Sequence, residues 1–460
     1  MKREKIKILF DKKETIDEAL VLGWVRTNRA QAQFGFLTVN DGSTILNLQV
    51  VYDEKLKNFE EISKFRAGMS IRVVGKIILT PNAKQPLEMH ATEVEMLGDS
   101  ALDYPIQPKR HSLEFLRENA HLRGRTNTFN AVFRIRSVAA MAIHTYFQQN
   151  GYLYVHTPLI TCADCEGSNQ MFKVTTFDLN NIPKTEDGLV DYSKDLFGKN
   201  AFITGSGQLH GETFAMAFSD IYTFGPTFRT ENSNTKIHAN EFWMIEPEMA
   251  FCDLEGLMDI EEEMLKFVVK YVLDNANAEI DFCDQFIEHG LKEKLNKVLN
   301  SNFVRITHKE AIDILLAAKQ KWEFKPSYLD DIAKEHEKYL LDHFNGPVFV
   351  KDWPKDIKAW YMKDNDDGKT VAAVDLLVPG SGELMGGSQR EENLDVLLKK
   401  MEIHHIDKDT VDWYLDTRRY GGCIHSGFGL GFERLIMYLT GVDNIRDTIP
   451  FPRTPKNCDF

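Results

Sequence analysis

The stretch "SGFGLGFERLIMYLTG", residues 426–441, changes character in its middle. Gly427, Gly429 and Gly431 alternate with Phe428, Leu430 and Phe432. A period of two predicts a strand with one apolar face and one face bare of side chains. Glu433 and Arg434 then open a helix. No Lys-Ser/Thr follows the glycines, and their spacing is G-x-G-x-G, so this is neither a P-loop nor a dinucleotide fingerprint. Two readings of the glycine face stand: close packing against a neighbour, or room for a flat ligand.

Two other stretches raise the same choice. In "FRTENSNTKIHANEF", residues 228–242, Arg229 and Glu231 follow the apolar "IYTFGPTF" and precede "FWMIEPEMAF". Two strands joined by a polar loop make a long hairpin, and the Arg-x-Glu pair is either a structural ion pair or held for chemistry. Asp375 and Glu383 flank "LLVPGSG", with Arg390 following in "LMGGSQRE". Carboxylates on adjacent strand ends suit a hard cation bound through oxygen; plain surface acids are the alternative.

At 460 residues the chain is too long for one core, and two or three domains are expected. "VLGWVRT", "FGFLTVND" and "ILNLQVVY" read as strands, "FEEISKFRAG" as a short helix, and "SIRVVGKIIL" and "LEMHATEVEML" as two more strands. That order predicts a five-stranded OB barrel over residues 1–102, a platform that stacks single-stranded bases on exposed aromatics. "DYPIQPKRHS" opens a hinge assigned to 103–125, either a solvated linker or a basic segment touching RNA phosphate. Beyond it, residues 126–460 begin with a long helix to Gly151. "YLYVHTPLIT" follows as a strand whose Pro158 suits an edge or interface position. Residues 254–345 read as helical and without chemistry, and strands return from 347. Strands followed by helices, without βαβ alternation, predict an α+β domain built on an antiparallel sheet flanked by helices.

The net charge is −14, and residues 1–103 carry 15 basic and 15 acidic side chains, so the excess falls on 104–460. This argues against non-specific nucleic-acid binding and leaves a local footprint open. No apolar run is long enough to span a membrane and "MKREKIKILF" is not a signal peptide, so a cytoplasmic location is expected. Among six cysteines only Cys162 and Cys165 are close, with no second pair at zinc spacing, and reduced thiols are expected.

"GYLYVHTPLI", "FRTE…HANEF" and "GFGLGFER" stand in order, and together they resemble motifs 1, 2 and 3 of the class II aminoacyl-tRNA synthetases. The motifs fall at about 128–161, 222–251 and 424–440, and the resemblance spans nearly the whole chain, least specifically in the helical region. The barrel in front is similar to that of the aspartate, asparagine and lysine subgroup. "GSGQLHGE", "EFWMIEPEMAF" and "GELMGGSQREENLD" look most like its bacterial asparagine-specific members. The implied activity is ATP-dependent formation of an aminoacyl-adenylate, then transfer to tRNA(Asn), with release of pyrophosphate and AMP. Mg²⁺ is the implied cofactor and a homodimer the implied assembly.

The resemblance also implies residue roles. Arg229 bridges the α-phosphate and the substrate carboxylate, a task for a planar guanidinium. Glu231 sits near adenine and orients Arg229; His238 reaches the outer phosphates. Phe242 stacks under adenine and Arg434 covers its other face. Asp375 and Glu383 hold Mg²⁺. Glu166 and Gln208 hold the α-ammonium, and Arg390 meets the side-chain oxygen. The aspartate branch, which is the alternative substrate reading, carries a lysine where this chain has Gly211, and an aspartate where it has Glu246. A longer carboxylate accepts from an amide and repels a carboxylate. His425 is either a pocket member or a core histidine. In the barrel, Phe36 and Gln49 match a stacking aromatic and a reader of the central anticodon base, with Glu88 a further base contact; Tyr52 and Phe34 are equally readable as barrel core.

Overall fold

A computed structural model describes residues 1–460 except Lys84, Glu166, Ser168, Asn169, Gln170 and Asn234. The chain divides into two compact units, Met1–Arg134 with Phe460, and Ile135–Asp459.

The first unit is built on five strands, β1 (Ile16–Ala30), β2 (Phe34–Asn40), β3 (Leu48–Asp53), β4 (Ser70–Leu79) and β5 (Leu87–Gly98), closed into a barrel in the order β1-β2-β3-β5-β4. Alternation decides which side chains fill it: in β2, Leu37 and Val39 are fully buried while Phe34 and Phe36 face outward. Helix Ile6–Lys12 adds Ile6 and Leu9 to the same core. The helix expected through Gly68 is only Phe59–Ile62, because the chain then tightens into i→i+3 turns, Lys64 N donating to Glu61 O and Phe65 N to Ile62 O. Within residues 103–125, Asp103 and residues 107–110 are exposed, while later side chains are anchored. Ile106, Leu116 and Phe129 form a small core, and the buried Arg123 guanidinium lies 4.3 Å from the Phe129 ring centroid.

In the second unit the strands are β6 (Leu153–Tyr154), β7 (Ile160–Thr161), β8 (Phe172–Val174), β9 (Ala201–Ile203), β10 (Asp220–Phe228), β11 (Glu241–Ala250), β12 (Val304–Thr307), β13 (Val348–Pro354), β14 (Thr370–Val378), β15 (Gly382–Gln389) and β16 (His425–Gly431). Eight form one sheet in the order β12-β13-β14-β15-β16-β11-β10-β6. Its six central strands are antiparallel, as expected, but the outermost pairs, β12 with β13 and β10 with β6, are parallel. The sheet is therefore mixed. β12, the β-branched "VRIT", interrupts the region read as helical. "YLYVHTPLIT" is split: β6 forms an edge of the large sheet, and β7 joins a three-stranded sheet with β9 and β8. Pro158 has no N–H to give and lies between the two.

Helix Leu254–Asn275, in which Leu257, Met258, Leu265, Val268 and Val272 are buried, lies against β14, β15 and β16. Helix Gln208–Phe218 lies against β10 and β11. Among the described residues, no helix is long and apolar enough to cross a membrane.

Candidate active site

β10 and β11 pair from Asp220↔Met249 to Phe228↔Glu241, leaving residues 229–240 as the connecting loop. The loop is stapled at its base. Asn240 Nδ2 donates to the carbonyls of Arg229 (2.8 Å) and Glu231 (3.0 Å). The segment after β16 holds it from outside: Asn240 N donates to Arg453 O and Ile445 N to Lys236 O, both at 2.8 Å, and Lys236 pairs with Asp443. The described residues of this polar loop are thus tied down without a buried apolar side chain among them.

A cleft of about 430 Å³ opens between this loop and strands β11, β15 and β16. Arg229, Glu231, His238 and Phe242 line it from the hairpin, and Arg434 from the first turn of helix Phe432–Thr440. The Arg229 guanidinium lies 5.6 Å from the Phe242 ring centroid. His238 Nε2 is 3.8 Å from Glu231 Oε2, and its Nδ1 is 2.6 Å from Thr235 Oγ1. Glu433, buried, accepts from Trp243 N (2.9 Å) and Arg136 Nη2 (2.7 Å), fixing the helix start against β11. The glycines divide. Gly429 and Gly431 line the cleft, but Gly427 does not: a Cβ there would lie 2.3 Å from the Glu248 carboxyl carbon. Two glycines leave room for a ligand and one leaves room for a carboxylate.

Asp375 and Glu383 face one spot. A Cβ on Gly386 would stand 3.2 Å from Asp375 Oδ1 and 3.4 Å from Glu383 Oε1, so the missing side chain leaves that spot open. Lys358 Nζ donates to Asp375 Oδ2 at 2.8 Å, and burial pushes the Asp375 carboxyl up to about 6 against that cation. Glu383 Oε2 lies 3.8 Å from Arg434 Nη1. Among the described residues no group of three or more His, Cys, Asp or Glu could hold a metal. Two carboxylates without a third protein ligand fit Mg²⁺, which keeps waters and completes its shell with substrate phosphates.

At the other end of the cleft the floor is charged and buried. Arg390 grips Glu248 in two places, Nη2 to Oε1 at 2.7 Å and Nε to Oε2 at 3.2 Å, and donates to Ser388 Oγ at 2.8 Å. Burial pushes the Glu248 carboxyl up, opposed by the Arg390 guanidinium, whose two hydrogen bonds favour the ionised form. Glu246 accepts from Ser206 Oγ, Gly207 N (2.9 Å) and Thr223 Oγ1 (3.2 Å), with burial raising its carboxyl too. Gln208 lines the cleft beside them. Gly211 faces this floor, its missing Cβ 3.5 Å from Glu248 Cγ. His425 is not in the cleft wall. It is buried behind, with Nε2 2.8 Å from Glu212 Oε2 and Nδ1 2.9 Å from the Cys423 carbonyl. Glu166 lies outside the described residues.

The cleft thus gathers Arg229, Glu231, His238, Phe242, Gln208, Glu246, Asp375, Glu383, Arg390 and Arg434 from five segments spread over more than 200 residues. Glu248 and Glu212 escaped the sequence reading, although each carried a signal. Glu248 is two residues from Glu246, hence on the same strand face, and Glu212 is four residues from Gln208 on one helix.

On the barrel, Gln49 pairs across to Thr38 of β2 and to Glu88 of β5. Its Nε2 donates to Glu88 Oε2 at 3.0 Å. Arg29 lies 5.3 Å from the Phe36 ring centroid, and Phe34 stands edge-on to Phe36 at 5.5 Å. Phe36, Gln49 and Glu88 are half-buried on one outward face and Phe34 is exposed, whereas Tyr52 is core, its hydroxyl donating to Asn28.

A barrel suited to single-stranded bases and a cleft with Arg229 over an aromatic, a second arginine, two convergent acids and a glycine-floored strand define one class of enzyme. Residues 112–455 match the family of class II tRNA synthetases (D, K and N), and residues 19–97 match the OB-fold nucleic acid binding domain. The chain belongs to the class II tRNA synthetases of that group. It is 60% identical over 445 residues to the asparagine–tRNA ligase of Acholeplasma laidlawii, covering 96% of each chain. It is 54% identical to the asparagine–tRNA ligase of Clostridium tetani, covering 100% of both. Its fold matches the asparaginyl-tRNA synthetase of Pyrococcus horikoshii, complexed with asparaginyl-adenylate, with a TM-score of 0.85 and 30% identity over 100% of this chain and 99% of that one.

Proposed function

We propose that the chain activates asparagine with ATP and transfers it to tRNA(Asn). The observation that carries the choice of asparagine over aspartate is the floor of the cleft. Its arginine, Arg390, is already met by Glu248, and the neighbouring position that could add a second cation is Gly211. A free carboxylate entering there would face Glu246 and Glu248 without an uncompensated cation, whereas an amide has both a donor and an acceptor to offer.

An oxygen of the asparagine carboxylate attacks the ATP α-phosphorus, and the bond to the bridging oxygen of the β-phosphate breaks. Both reactants are anions, so the protein's task is to bring them together and stabilise the charge that develops. Arg229 spans the carboxylate and the α-phosphate. Phe242 and Arg434 hold adenine between them, Glu231 orients Arg229, and His238 meets the outer phosphates. Asp375 and Glu383 would hold Mg²⁺, which when bound stabilises charge on the departing pyrophosphate. The terminal adenosine hydroxyl of the tRNA then attacks the acyl carbon, and AMP leaves.

In this proposal residues 1–102 bind the anticodon, Phe36 stacking and Gln49 and Glu88 reading base edges; 103–125 serve as hinge, and 126–460 carry catalysis. The outward Met141 and the exposed Leu153 of edge strand β6 support a homodimer through the motif 1 segment. We place the enzyme in the cytoplasm, with its tRNA. The test is amino-acid-dependent ATP–pyrophosphate exchange: asparagine should support it and aspartate should not. Exchange with aspartate alone would overturn the assignment.

A further inference from the structure

Gln208 and Arg390 both line the cleft, and one buried side chain lies behind both: Gln208 turns a donor away from the cleft toward it, and Arg390 stands within ion-pair reach of it. Gln208 Nε2 donates to Glu212 Oε1 at 3.0 Å, and Arg390 Nε lies 3.9 Å from the same oxygen. The other oxygen, Oε2, accepts from Tyr414 OH (2.8 Å) and Arg418 Nη2 (3.0 Å), and His425 Nε2 is 2.8 Å away. Glu212 is fully buried and is not part of the cleft wall. Burial alone would raise its carboxyl, but Arg418, His425 and Arg390 outweigh that and hold it below the usual carboxylate range.

Two consequences follow for the pocket. An ionised carboxylate only accepts, so the Gln208 amide must point its NH₂ at Glu212 and present Oε1 elsewhere. That leaves a fixed acceptor on a cleft residue, the complement of an α-ammonium group. Charge is the second consequence. Behind the pocket two guanidinium groups, Arg390 and Arg418, face two carboxylates, Glu212 and Glu248. Removing either carboxylate leaves a buried cation uncompensated, and a carboxylate ligand would then supply what is missing.

We propose that Glu212 is a positioning residue of the amino-acid pocket, fixing the Gln208 amide and offsetting Arg390 so that the site prefers asparagine to aspartate. The proposal rests on the assignment of Gln208 and Arg390 as asparagine contacts. Glu212→Gln keeps the shape and removes the charge. Amino-acid-dependent ATP–pyrophosphate exchange should show KM for asparagine raised about tenfold or more, KM for ATP within about twofold, and the asparagine-to-aspartate ratio of kcat/KM lowered about tenfold. Glu212→Asp, which keeps the charge, should recover most of that ratio. A folded Glu212→Gln variant with KM for asparagine and ratio both within twofold of wild type would overturn the proposal. If thermal melting shows that variant unfolded, Tyr414→Phe removes one donor to Glu212 while keeping its ring. KM for asparagine should then rise about threefold, and an unchanged value overturns the proposal. Wild-type protein in the same assay separates the two claims: absent exchange with asparagine defeats the substrate reading, while exchange in wild type with an unmoved variant defeats only the role of Glu212.

Discussion

Gly427→Ala tests whether the pocket floor depends on the Arg390–Glu248 pair. The new Cβ would stand 2.3 Å from Glu248 Cδ and Oε2 and 2.4 Å from Oε1, where ordinary contact begins near 3.4 Å. The carboxylate must therefore retreat by about 1 Å. Arg390 cannot simply follow, because Nη1 is tied to Ser388 and the side chain is buried. Contacts of 2.7 and 3.2 Å stretched by that much cease to be hydrogen bonds. Breaking one side of a buried pair costs about 3–5 kcal/mol, and alanine returns about 0.5–1 kcal/mol over glycine in a strand. The net is a loss of about 2–4 kcal/mol, or a thermal midpoint lowered by roughly 3–6 °C for a unit of this size. Because Arg390 is the proposed asparagine contact, KM for asparagine should rise about tenfold or more in pyrophosphate exchange. KM for ATP should move less than about threefold, since the proposed nucleotide contacts are made by other residues. A variant that melts within 1 °C of wild type with KM for asparagine within twofold would refute the reasoning.

Arg229→Ala should lower kcat/KM in exchange by about 10³-fold, roughly 4 kcal/mol of charge stabilisation, while tRNA retention on a filter stays unchanged; surviving exchange would mean that another cation does the bridging. Phe36→Ala should weaken tRNA binding by about 1–3 kcal/mol, one stacked base, and leave exchange unaltered. Equal tRNA affinity would place the anticodon on another face. Glu261 is fully buried, and neither carboxyl oxygen has a hydrogen-bond partner among the described residues; burial, with Asp375, pushes its carboxyl well up. The folded state therefore holds this proton more tightly than the unfolded chain, so stability falls as pH rises from about 4.5 toward the folded pKa, by at most about 1.4 kcal/mol per pH unit. Glu261→Gln should gain stability relative to wild type between pH 6 and pH 9 in thermal melts, and parallel pH profiles would count against a buried neutral acid.

What was legible in the sequence was local. The period-two pattern at 426–431 and its switch to helix at Phe432 need only neighbours along the chain, as do the barrel strands and the hairpin at 220–250. The partners of those segments were not legible. Arg390 and Glu248 are 142 residues apart and Arg418 and Glu212 are 206 apart, and no periodicity announces such pairs. The resemblance to known motifs named Gln208, Glu246 and Arg390, but not the buried Glu212 and Glu248 that accept from Gln208 and Arg390. β12 was lost because four residues between helices carry too little pattern to compete with their surroundings. His425 read equally as a pocket member or a core histidine, and the direction in which its ring turns, inward to Glu212, is fixed by packing.

The strand order has a consequence for synthesis. β16 lies between β15 and β11, so the last strand of the large sheet in sequence fills its middle. Until residue 431 has emerged, β11 and β15 both present unpaired edges, open to pairing with another chain. The hairpin loop is also held by residues 443–453, later still. The nascent enzyme thus keeps two half-sheets apart through some 180 residues of translation and gains its nucleotide cleft only at the end. A prematurely terminated chain would be both inactive and prone to aggregate, a good substrate for quality control rather than a partly working synthetase.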